Sequence, residues 1–176
     1  MKTSNFKLQI LEIAAPLAVV CFAVASRLLP HPANIAPITG MALFGGLYLD
    51  KRYALIVPLI ALFISDIFIG FHDTMLFVYG SFLLTGAIGL ITRPYRSFKT
   101  ILLAALASSL LFFIITNFGV WMVSGMYPKT FDGLLQSYYF ALPFFRNTIF
   151  GDLLYTGLFI GSYEILLRLK PALRTV

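Results

Sequence analysis

A chain of 176 residues that is 60% hydrophobic, only 11% charged and has a mean hydropathy of +0.91 exceeds what one water-soluble core accounts for, since soluble domains are about 45–50% apolar and about 25% charged. Composition therefore reads as an integral membrane protein. The formal charge of +6 does not point to nucleic acid as a partner, because membrane proteins concentrate Lys and Arg in cytoplasmic loops. The lone Cys21 excludes an intrachain disulfide and reads as a small packing residue.

The first predicted helix covers about 9–29. Lys2, Lys7 and the Ala23-Val24-Ala25 run imitate a secretory leader. The apolar stretch from Leu8 to Leu29 is longer than a leader's, however, and Glu12 interrupts it, so it reads as a retained helix. The second helix, 36–49, opens after HPANIAP. Pro37 suits a first turn, where its missing N–H costs nothing, and the segment is short for a full span. The third, fourth, fifth and sixth helices are predicted over 53–71, 74–92, 98–123 and 145–168, near the length of about 20 apolar residues that a span requires. Asp50-Lys51-Arg52, Phe71-His72-Asp73 and Arg93-Pro94-Tyr95-Arg96 separate them. The longest link, 124–144, holds Gly125, Pro128 and Gly133, then the amphipathic DGLLQSYYFAL, and reads as an outer-face loop carrying a short surface helix. No repeat or low-complexity tract divides the chain. The expectation is one all-α integral membrane domain over 1–176, a six-transmembrane-helix bundle.

Charge orients this bundle. With the N-terminus inside, the inner loops collect Lys2, Lys7, Lys51, Arg52, Arg93, Arg96, Lys99, Arg168, Lys170 and Arg174, whereas the outer side has Arg27, Lys129 and Arg146. That asymmetry places both termini in the cytoplasm.

The polar residues then fall at one depth, in the outer half. Asp66 lies near the outer end of helix three, Asn117 and Trp121 lie one turn apart on helix five, and Asp152 stands two turns inside helix six with Thr148 and Tyr155 on its side. Arg27 ends helix one, Arg146 and Asn147 open helix six, and His72 and His31 lie in outer loops. Such groups must face the bundle interior or a wet cavity. Two readings stand: mutual pairing that holds helices together, or a substrate-binding pocket built from Asp66, His72, Asn117, Trp121, Arg146, Asn147, Asp152 and Tyr155. Trp121, Tyr127, Tyr138 and Tyr139 suit a flat, polar, heteroaromatic small molecule; a corrinoid near His72 or His31 is a lesser option. On helix one, Ala14, Ala18, Cys21 and Ala25 form a stripe of small residues that permits close helix approach. Ser81, Thr85 and Gly89 form a similar stripe on helix four, read as internal packing.

No HExxH, CxxC, P-loop or dinucleotide fingerprint is present. A serine nucleophile lacks a base within the membrane, and SDIF and FGDLL do not fit an aspartyl-protease pattern. The expectation is no enzyme, no catalytic residue, no metal and no cofactor.

RLLPHPANIAPITGMALFGG, SDIFIGFHD, FFIITNFGVWMVSGMYPKT and PFFRNTIFGDLLYTG together resemble a bacterial membrane family of unknown function that is grouped with the substrate-binding S-components of energy-coupling-factor (ECF) vitamin transporters. The resemblance runs from about 27 to 163. It implies a six-helix protein of the bacterial cytoplasmic (inner) membrane, multi-pass, with a pocket near the outer face covered by the loops. It also implies an alanine-x-x-x-alanine motif on helix one, here Ala14 and Ala18, that docks on a transmembrane coupling subunit driven by two ATPases. The function expected is uptake of a vitamin-like micronutrient. The alternative is a scaffold or assembly factor that binds another membrane protein through helix one. Besides its substrate and any such subunit, membrane lipid is the expected partner.

Overall fold

The computed structural model describes residue 18 and residues 21–30, 34–35 and 37–169, and every regular element among them is a helix. In chain order these are α1 over 21–28, α2 (Ile38–Tyr48), α3 (Lys51–Ala54), α4 (Ile56–Ile69), α5 (Met75–Thr92) with a 3₁₀ turn at Arg93–Tyr95, α6 (Phe98–Val123) and α7 (Phe131–Leu169). The first part of the expected helix one lies outside the described residues.

The short α2 is the hub. Ile38 through Leu47 are buried on all sides, with no polar face, and α5, α7, α4 and α6 pack around it. Neighbouring pairs form an arc about it: α4 with α5, α5 with α6, and α6 with α7. The α1 helix joins α7 through an edge-to-face Phe22–Phe159 contact at 5.7 Å and α4 through Arg27. Eleven residues rise about 16 Å, short of the roughly 30 Å of a bilayer's hydrocarbon core. Arg93 donates to the carbonyls of Leu47 and Leu49, closing carbonyls that the last turn leaves open.

Glycine permits the closest crossing. A Cβ on Gly46 would lie 2.7 Å from the Cα of Gly89 and would also strike the Gly86 carbonyl, so α2 and α5 meet backbone to backbone. Ser81 and Thr85 are fully buried on the same helix, so this stripe does pack internally.

Two boundaries differ from the sequence reading. The third helix is split at Leu55 into α3 and α4. Pro58 removes the hydrogen bond to the Ala54 carbonyl and crowds it, so helix restarts at Ile56 with Pro58 in the first turn, where no N–H is required. The expected outer-face loop 124–144 shrinks to 124–130, because α7 begins at Phe131 and runs unbroken through Pro143. One proline costs one backbone bond and a local bend, and 39 residues extend about 58 Å.

The two helices α5, with its 3₁₀ turn, and α6 are long and apolar enough to cross a membrane; α2 and α4 are shorter apolar helices. Large apolar side chains cover the outside, among them Leu76, Phe98, Ile91 and Phe68. Asp66, Asp152, Ser65, Ser81, Ser108 and Ser109 are held inward, as a lipid solvent would require of polar groups.

Candidate functional site

The end of the bundle where α1 and α4 finish and α2 and α5 begin holds a cavity of about 400 Å³. Nearly every element contributes. Ile38 and Thr39 come from the first turn of α2, and Leu62 and Ile69 from α4. Val78, Phe82 and Phe112 form the wall on α5 and α6, with Phe82 and Phe112 in ring contact at 5.2 Å. Polar groups stand at fixed points: Arg27 from α1, Thr148 and Asp152 from α7, and Asn34 and His72 from the loops. Asn34 has φ 64°, a left-handed conformation that asparagine tolerates better than branched residues.

The two acidic residues have different surroundings. Asp66, 1% exposed, pairs with Arg27 at 3.0 Å. The same guanidinium donates to Ser65 Oγ at 2.8 Å, and the Tyr79 hydroxyl donates to Asp66 Oδ2 at 2.8 Å. This network ties α1, α4 and α5 together, so the Asp66 charge has its partners within the fold. Asp152, 2% exposed, accepts a 2.6 Å hydrogen bond from Ser109 Oγ, and the Thr39 hydroxyl also interacts with its carboxyl. Among the described residues no Lys, Arg or His forms an ion pair with it.

Of the residues singled out from sequence, His72 and Asp152 line the cavity together with Arg27; His72 is exposed and its Nδ1 contacts Thr74 Oγ1 at 2.9 Å. Asp66 stands behind Arg27. Asn117 donates to the Phe113 carbonyl of its own helix at 2.8 Å. Trp121 donates its indole N–H to the Pro128 carbonyl at 2.9 Å, with Lys129 over its ring, and thereby fastens the 124–130 turn. Arg146 is exposed, and Asn147 is half-buried with a partner of its own. Tyr155 sets its ring, tilted by 33°, against Phe159, while its backbone backs Gly40 on α2. Tyr138 donates to the Ile114 carbonyl and Tyr127 stacks on Phe140. Ala18, Cys21 and Ala25 are exposed and Ala23 is buried; Ala14 and His31 lie outside the described residues.

Thr39, Ser109, Tyr79 and Phe112 are site residues that the sequence reading did not select. A serine such as Ser109 inside an apolar helix signals an interior contact, but its partner depends on the register of α6 against α7. Starting helix six at 145 puts Asp152 level with Asn117. The true start at Phe131 lets α7 run further, and Asp152 meets Ser109, about 12 Å deeper along α6.

No curated protein and no solved structure matches the chain. Residues 7–173 match the model of a family of unknown function, DUF6580, and the chain belongs to that family.

Proposed function

We propose that this protein is a membrane-embedded substrate-binding subunit for uptake of a vitamin-like micronutrient, of the ECF S-component type. The single observation that carries the reading is the cavity, in which a buried carboxyl, a guanidinium and the hydroxyls of Thr39 and Thr148 converge among apolar walls. Pockets of about 300–1,000 Å³ with apolar walls and few polar groups are the usual form of a small-molecule site. The volume suits one or two fused rings and argues against a corrinoid macrocycle. In this reading the chain is a multi-pass protein of the bacterial inner membrane with six helical segments and both termini cytoplasmic. The cavity opens outward, and the basic residues around α3 and the Arg93–Tyr95 turn face the cytoplasm. The α2 segment enters the membrane enclosed by its neighbours rather than as a full lipid-facing span.

One observation favours docking on a second membrane protein. Ala18, Cys21 and Ala25 are exposed, and among the described residues this small-residue stripe offers a surface for a close helix contact. A coupling subunit with two ATPases fits the transport reading; a scaffold uses the same face without a ligand. Mild extraction from native membranes followed by untargeted mass spectrometry separates them. A stoichiometric small molecule in the denatured extract supports the uptake subunit. An extract free of small molecules, with a stoichiometric membrane partner, would replace it by the scaffold.

A further inference from the structure

The cavity's charged groups are not matched alike. Arg27 is neutralised by Asp66 at 3.0 Å. Asp152, 2% exposed, has hydroxyl partners but, among the described residues, no cation. The first turn of α2 adds the positive end of a helix dipole, equivalent to about half a charge, less than a carboxylate carries. A charge in such surroundings is costly until a counter-charge or a full set of hydrogen bonds meets it. We infer that the ligand of this cavity is a ring-bearing organic cation whose protonated nitrogen binds the Asp152 carboxyl, with its ring against Phe82 and Phe112. Thr148, on the same helix face, is a second polar contact for the nitrogen or its neighbours. The inference rests on the cavity being a small-molecule site, and it adds the charge and anchoring atom of the ligand.

A charge series on one ring tests it. Tryptamine, tryptophol and indole-3-acetate share an indole but carry a cation, a neutral hydroxyl and an anion. Calorimetry on the purified protein in lipid nanodiscs should show tryptamine binding about tenfold tighter than tryptophol, with indole-3-acetate weakest. Asp152→Asn should reduce the tryptamine preference to roughly threefold or less. Should that variant fail to elute as a single species, the wild-type series decides by itself. Equal binding of tryptamine and tryptophol would overturn the cationic ligand while the small-molecule site stands. Tightest binding of indole-3-acetate would overturn it in favour of an anion at the α2 N-terminus. Failure of all three to bind would count against both the inference and the site.

Discussion

Replacing Gly46 by alanine tests the hub directly. The new Cβ would sit 2.7 Å from the Gly89 Cα and 2.8 Å from its carbonyl carbon, where carbon atoms prefer about 3.5–4.0 Å. Both obstacles are backbone, so no side chain can swing aside and α2 must move from α5 by roughly 1 Å. Overpacking of this kind costs typically 1–3 kcal/mol, and an immovable neighbour puts Gly46→Ala near the upper end. Alanine recovers up to about 1 kcal/mol through helix propensity, leaving a net loss of about 2 kcal/mol. Gly80 and Gly157 are controls, since a Cβ at either meets nothing within 4 Å. There the same change should gain up to about 1 kcal/mol. Reversible unfolding by SDS in mixed micelles reads all three variants. Equal effects at Gly46, Gly80 and Gly157 would refute the close α2–α5 crossing.

The Arg27–Asp66 pair yields a second prediction: Arg27→Met should destabilise by about 3–5 kcal/mol, because it strands a buried carboxylate, and adding Asp66→Leu should restore most of the loss in the same unfolding assay. Loss in the double variant equal to that in the single would show that the charges are not coupled. Topology gives a third: in a Cys21→Ala background, Lys51→Cys and Lys129→Cys should react with an impermeant thiol reagent from opposite sides, and labelling from one side would exclude the six-segment arrangement. For docking, Ala14→Leu with Ala18→Leu should abolish co-purification of a coupling subunit while ligand binding persists; global unfolding would instead place the stripe inside the bundle.

The helical class and most segment positions were legible because apolar runs broken by Asp50-Lys51-Arg52 or Arg93-Pro94-Tyr95-Arg96 admit few alternatives. The buried Asp66 and Asp152 were legible because a carboxyl inside a long apolar run is expected to face the interior of a bundle. Their partners were not. Pairing depends on register, and register depended on whether Pro143 ends a helix or is absorbed by one. Reading 124–144 as a loop shifted Asp152 about two turns and pointed it at Asn117. The hub role of α2 was also hidden, since ITGMALFGGLY has the same composition whether it faces lipid or protein. Only Gly40, Gly45 and Gly46, each with backbone within 3 Å of an added Cβ, hint that neighbours approach on several sides.

The central claim, a cavity open to the outer face with Asp152 at its wall, is tested most directly by thiol accessibility at Thr148, the buried cavity residue one helical turn from it. In a Cys21→Ala background, Thr148→Cys should react with a small, membrane-impermeant cationic thiol reagent added from outside, and not from inside. The outward-pointing Phe150→Cys, which the proposed membrane placement sets against lipid, and the deep Ser108→Cys should stay unmodified. Modification of Thr148→Cys only from the cytoplasmic side, or none where Lys129→Cys reacts fully, would contradict the account.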